Sequence, residues 1–189
     1  MTTRRLSGSR NAVQEAASRL ARILGDAGVL VGGLAVSAHG HVRATDDVDF
    51  VTKLDPREVR RRLTRLGIES RLARGDDGDR EPPWAVTGTI GGVRFDILPA
   101  LVPIYWTRTI AARLPDGVIL RVVDLEGLIR LKIRSGGHKD LWDVAALLRV
   151  HPSHLEVALR VAEAYGCRDE LERWLHDRRR PVARRSKEA

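Results

Sequence analysis

At 189 residues the chain is long enough for one domain with a substantial core, or for a larger domain with a small helical appendage, and the second is the expected organisation. Hydrophobic residues make up 43% and charged residues 31%, and no apolar stretch approaches the ~20 residues of a membrane span. The single Cys167 excludes an internal disulfide and a cysteine-based zinc site, leaving a small buried apolar residue as the expectation. A net charge of +8 suggests a polyanion partner, but residues 178–189 carry five Arg, one Lys and one Glu, about +5, which leaves the body near +3. Only four of the 33 basic residues are Lys, so the Arg content also has a compositional explanation.

In chain order, Met1-Thr2-Thr3-Arg4-Arg5 is charged but has no apolar segment behind it. That is not a signal peptide, and a cytoplasmic protein is expected. Over residues 11–27, Val13, Ala16, Ala17, Leu20, Ile23 and Leu24 repeat at helical spacing and predict an amphipathic helix, its end bracketed by Gly25 and Gly28. Val29-Leu30-Val31 reads as a buried strand, 34–38 as a short helix ending near Gly40, and 48–52 as a returning strand. Pro56 opens a helix with Val59, Leu63 and Leu66 among Arg57, Arg60, Arg61, Arg62 and Arg65, either a solvated surface helix or an RNA-facing ridge beside the cleft. Residues 73–83 are expected to be a loop, where Asp76, Asp77 and Asp79 imitate part of a calcium loop without its terminal Glu.

Residues 84–90 and 93–98 flank Gly91-Gly92, a hairpin signature, and 118–123 follow an Asp116-Gly117 turn as a further strand at an edge. Asp124 is an N-cap candidate for a helix carrying Leu125, Leu128, Ile129, Leu131 and Ile133 and ending at Gly136-Gly137. A second helix carries Leu141, Val144, Ala145, Leu147 and Leu148, and two more follow at about 153–164 and 168–177. The last dozen residues are expected to be disordered.

The chemistry concentrates between residues 32 and 49. Gly32-Gly33 stands where a strand meets a helix, and without side chains its backbone N–H groups can lie against a phosphate. Asp47 and Asp49 are two apart, so a strand puts both carboxylates on one face, at a free-energy cost unless something neutralises them. A divalent cation with oxygen ligands fits, since Mg²⁺ commonly sits between carboxylates and substrate phosphates. Asp96 is a third acid inside an apolar strand, Arg94-Phe95-Asp96-Ile97-Leu98. Asp46 points away from Asp47 and reads as a cap or a partner for Arg43. His39 and His41 have no third ligand nearby and read as surface or supporting histidines rather than a metal pair. Lys132 sits in an apolar helix face, where a side chain can snorkel. Lys139, Asp140 and Asp143 suit a helix start, and Lys139 can pair with Asp143 at i, i+4.

Gly-Gly, a spacer, Asp-x-Asp among apolar residues and a later strand with a single acid resemble the DNA polymerase beta-like nucleotidyltransferase superfamily. Within it, Arg43-Ala44-Thr45-Asp46-Asp47-Val48-Asp49, and Leu131-Lys132-Ile133 followed by His138-Lys139-Asp140-Leu141-Trp142-Asp143, resemble the AbiEii/AbiGii toxin-like nucleotidyltransferases, across roughly residues 28–150. The resemblance implies an α/β (α+β) nucleotidyltransferase fold with a mixed sheet flanked by helices. Residues 1–123 would be the catalytic domain, 124–177 a C-terminal helical region completing the active site, and 178–189 a disordered basic tail.

It further implies two Mg²⁺ ions on Asp47, Asp49 and Asp96, with Asp96 best suited to assist deprotonation of the acceptor. Gly32, Gly33, Arg43, Lys132 and Asp140 would bind a nucleoside triphosphate, with Lys132 meeting its phosphates. Many superfamily members carry Ser where Gly33 stands, so backbone amides must do more here. The implied reaction moves a nucleoside monophosphate to an acceptor hydroxyl with loss of pyrophosphate. The implied acceptor is the 3′ end of tRNA, and the implied role is that of a toxin with a cognate antitoxin. A small-molecule (antibiotic) nucleotidyltransferase and a catalytically silent RNA-binding module are the alternatives, separated by whether metal-dependent transfer occurs and onto what.

Overall fold

The protein is described from a computed structural model covering residues 4–5, 12–75, 82–102 and 104–177. In chain order the strands are β1 (Arg4–Arg5), β2 (Gly28–Val31), β3 (Asp47–Thr52), β4 (Ser70–Arg74), β5 (Trp84–Ile90), β6 (Val93–Pro99), β7 (Thr109–Arg113) and β8 (Ile119–Val123). The helices are α1 (Ala12–Leu24), α2 (Gly32–Ala38), α3 (Pro56–Thr64), α4 (Ile104–Thr107), α5 (Leu125–Ser135), α6 (His138–Val150), α7 (Leu155–Ala164) and α8 (Arg168–His176). The strands form one mixed sheet in the order β1-β7-β8-β2-β3-β6-β5-β4, with β3/β6, β2/β8 and β1/β7 parallel and the other neighbours antiparallel.

Alternation along β3 divides the molecule. Val48 and Phe50 are fully buried on one face, and a Cβ built on Gly28 would sit 2.8 Å from Leu24 Cβ and 3.4 Å from the Phe50 ring, which puts α1 on the Phe50 side. Helix α3 joins that layer, because Arg62 Nη1 donates to the Ile23 and Leu24 carbonyls at the end of α1, 3.2 and 3.3 Å away. Asp47 and Asp49 face the other way, toward the layer where α2 packs on β2, β3 and β8 and against α5, which in turn packs on α6 and α7. The layers share one continuous apolar core. Local signals set the helix ends: Asp55 accepts from Arg57 N at 2.8 Å, Asp124 accepts from Gly127 N at 2.9 Å, and Gly136 stops α5 in the left-handed conformation.

Several expectations need correction. Strand β8 is not an edge strand, since it lies between β7 and β2. Strand β4 occupies part of the expected loop; Ser70-Arg71-Leu72-Ala73-Arg74 carries a weak apolar alternation, and its pairing with β5 makes it a strand. Strand β7 had no turn signal of its own and is defined by pairing with β8. The Arg-rich α3 packs on the layer behind the carboxylates, so it is not a ridge beside the cleft. Cys167 is half-buried rather than fully buried. The calcium-like Asp76, Asp77 and Asp79 and the tail 178–189 lie outside the described residues. Among those described, no helix is long and apolar enough to cross a membrane.

Candidate active site

Register brings the acids together. Asp49 pairs with Asp96 across the parallel β3/β6 ladder and with Val31 across β2/β3, so Asp47, Asp49 and Asp96 share one sheet face directly beside Gly32. Gly32 has φ +65°, and a Cβ built on it would fall on the Asp49 carboxylate. A Cβ on Gly33 would run into Thr45, 2.9 Å from its Cβ, and stand 3.3 Å from an Arg43 nitrogen. Gly32 is therefore demanded by the acid-bearing strand and Gly33 by the connector that leads into it, in addition to any role in receiving phosphate.

The charges are frustrated. Burial pushes the Asp49 carboxyl up to about 7, reinforced by the Asp47 and Asp96 charges and opposed by Lys132. Burial also raises Asp96, against the pull of Arg94, while Asp47 adds to the rise. Asp47 accepts a hydrogen bond from Thr45 Oγ1 at 2.7 Å and lies 3.8 Å from Arg94 Nη2.

Behind this row sits an ion cluster that sequence spacing did not reveal. Asp143, fully buried on α6, accepts from Arg43 Nε and Nη2 at 2.6 and 2.7 Å and from Lys132 at 2.9 Å. Lys132 also donates to Asp140 at 2.6 Å, and Arg43 Nη1 donates to the Ala44 carbonyl at 2.9 Å. Burial works against the Asp143 charge, yet Arg43 and Lys132 hold its carboxyl below the usual range. Burial likewise opposes the Lys132 and Arg43 charges, and the facing carboxylates raise both pKa values nonetheless. Thus the partner of Arg43 is Asp143 rather than Asp46, and Asp143 does not pair with Lys139. The Arg43 guanidinium is engaged by Asp143 and the Ala44 carbonyl while one of its nitrogens stands beside Gly33. Lys132 does not snorkel out to solvent but is buried among acids.

A cavity of about 300 Å³ opens between the sheet and α5. Gly32, Asp49, Lys132 and Asp140 line its polar end, and Val51, Leu98, Leu101, Leu128 and Leu131 line the apolar remainder. His39 is buried and donates through Nε2 to the Val123 carbonyl at 2.8 Å, and His151 Nε2 donates to the His39 carbonyl at the same distance. His41 meets the Trp142 ring edge-on at 4.8 Å. Both histidines are thus built into packing.

Among the described residues no three His, Cys, Asp or Glu side chains converge into a ready-made metal group. The all-oxygen donor set of Asp47, Asp49 and Asp96 nevertheless suits a hard divalent cation, and such a cation would offset the burial and the like-charge repulsion that raise the Asp49 pKa.

No family model matches the sequence, and no curated protein matches it. The fold does have solved counterparts. The crystal structure of ANT(2'')-Ia in complex with adenylyl-2''-tobramycin superposes with TM-score 0.56 at 16% identity, covering 84% of this chain and 99% of that one. The solution structure of the antibiotic-resistance factor ANT(2'')-Ia gives TM-score 0.54 at 18% identity, over 85% of this chain and 96% of that one. The architecture is the nucleotidyltransferase fold. At these identities the likeness concerns the fold alone.

Proposed function

We propose that this protein is a metal-dependent nucleotidyltransferase that moves a nucleoside monophosphate from a nucleoside triphosphate to an RNA hydroxyl, the 3′ end of tRNA. Its role would be that of a toxin held in check by a cognate antitoxin, as the likeness to the AbiEii/AbiGii group implies. The observation that carries the enzymatic reading is the row of Asp47, Asp49 and Asp96 beside Gly32, with the Asp49 carboxyl pushed up to about 7 by burial first and by its acidic neighbours next.

Asp47, Asp49 and Asp96 would hold Mg²⁺, which when bound stabilises charge on the α-phosphate and acidifies the acceptor hydroxyl. The Gly32-Gly33 amides receive phosphate oxygens at the start of α2. Lys132 supplies positive charge on the departing side, exchanging Asp140 for a phosphate oxygen. The acceptor oxygen bonds to the α-phosphorus as the bond to the bridging oxygen breaks, pyrophosphate leaves, and the hydroxyl proton passes to Asp96. Arg43 acts only through Asp143, by fixing where Lys132 stands.

The ANT(2'')-Ia complex contains adenylylated tobramycin, which keeps a small-molecule acceptor as the second reading. The sheet face on the far side of Asp96 supports it poorly, because its exposed charged side chains on β6 and β4 are Arg94 and Arg71. A polycationic drug needs free carboxylates there, whereas a phosphate-bearing acceptor does not. Each α-labelled triphosphate should be incubated with the protein, Mg²⁺ and total tRNA, total cell protein or tobramycin. Label on tRNA alone, abolished by EDTA, is expected. Label on protein or drug with tRNA unmodified overturns the acceptor assignment, and label that persists in EDTA overturns the metal mechanism.

A further inference from the structure

The two sides of the carboxylate row are built differently. On the β2 side, α2 and α5 close over Asp49. On the β6 side the same sheet face runs on toward the edge: Asp49 pairs with Asp96, Asp96 with Thr87, and Thr87 with Arg71, one row across four strands. Beside it runs a second row, Asp47, Arg94 and Thr89. Paired residues on neighbouring strands project to the same face, and strands lie ~4.8 Å apart, so Arg71 stands about 14 Å from Asp49. The helices that pack on this part of the sheet, α3 on β4 and β5 and α1 on β6, belong to the opposite layer. Arg71, Thr89 and Arg94 are accordingly exposed. Toward the sheet edge, β5 and β4 present Thr87, Thr89 and Arg71 on this face, whereas the open groove of about 660 Å³ beside them is walled by Arg19 of α1 and by the turn after α3, on the opposite layer.

We propose that this face, which no helix among the described residues covers, is the track along which the 3′-terminal nucleotides of the RNA acceptor reach the carboxylates. Arg94 and Arg71 meet phosphates, and Thr87 and Thr89 bond to sugar or phosphate oxygens. The inference rests on the nucleotidyl-transfer reading above and adds to it the route of the acceptor. In-line displacement puts the attacking hydroxyl opposite the leaving pyrophosphate. Gly32, Gly33 and Lys132 occupy the leaving side, under α5, so the hydroxyl must arrive from β6, past Asp96. The β6 side is also where the exposed charge is basic and the hydroxyl-bearing side chains line up. The competing basic surface, α3, lies on the far layer, and Glu58 already holds Arg61 and Arg62 at 2.6 and 2.8 Å.

The test uses the full chain, fluorescent total tRNA and a non-hydrolysable triphosphate analogue, with affinity followed by anisotropy across a salt series. Arg71→Glu should weaken tRNA binding about tenfold and reduce the salt slope by about one, and Thr89→Arg should tighten binding, with triphosphate affinity unmoved in both. The triple change of Arg57, Arg60 and Arg65 to Glu on α3 should stay within about twofold of wild type. Wild-type affinity in Arg71→Glu, or a larger loss from the α3 triple, overturns the track while the transfer reading stands. A wild-type enzyme that neither binds nor labels tRNA overturns the RNA acceptor and the track together.

Discussion

Asp49 is a carboxylate that folding makes harder to ionise, with burial as the first cause and the Asp47 and Asp96 charges next. Its folded pKa of about 7 lies above the ordinary carboxylate value of 3.8, so its contribution to stability is full below the unfolded value and is lost as pH rises toward 7. The metal-free protein is therefore predicted to lose stability between about pH 4 and pH 7 through this group, by up to roughly 2–4 kcal/mol. Asp49→Asn should escape that loss, and its melting temperature in EDTA should exceed wild type by several degrees at pH 8 and converge with it near pH 4. A constant difference across that range would refute the assignment. Gly32 is bound to the same residue by shape. Gly32→Ala combines a left-handed φ with a collision at the Asp49 carboxylate, and a loss of about 1–3 kcal/mol in urea unfolding is expected. Part of that loss should disappear in an Asp49→Ala background, which removes the carboxylate but leaves the φ penalty.

At the scale of elements, Asp143 ties together parts of the chain that share no sequence neighbourhood. Arg43 lies in the connector from α2 to β3, Lys132 on α5 and Asp143 on α6, and the Arg43–Asp143 bonds span 100 residues. Asp143→Ala leaves the Arg43 guanidinium without its bidentate partner and Lys132 with Asp140 alone, and should cost about 3–5 kcal/mol in urea unfolding. The pH sign is opposite to that of Asp49. The Asp143 pKa is lowered, so its stabilisation is present above the ordinary carboxylate range and is lost as pH falls through its folded pKa. A wild-type-like urea midpoint in Asp143→Ala would show that the cluster carries no net stability. Sequence showed half of this device. Arg43 stood out within the segment before Asp-x-Asp, while Asp143 read as one more charge at a helix start, because a partner 100 residues away leaves no periodic trace.

At the scale of the molecule, a cation that binds only the folded carboxylate row must stabilise the whole chain. Mg²⁺ at about a hundredfold over its dissociation constant should add roughly 2.7 kcal/mol, seen as a rise in melting temperature. The rise should be larger at pH 8 than at pH 6, where Asp49 still holds a proton that the metal must displace. No shift at either pH, in a protein that still transfers nucleotides, would place the metal elsewhere. Sequence by itself determined what depends on near neighbours. It set the strand that runs into Gly32-Gly33 and a helix, the two acids on one face of β3, the hairpin that delivers Asp96, the Asp124 cap and the succession of C-terminal helices, because periodicity, caps and turn glycines act over a few residues. Only the tertiary structure decided that β4 and β7 are strands, that β8 lies inside the sheet, that α3 sits behind the carboxylates, that Asp143 holds Arg43 and Lys132, and that no described helix covers the carboxylate-side face of β4, β5 and β6. Each of these depends on which segments meet across the fold, a choice made by pairing and packing between residues far apart in the chain.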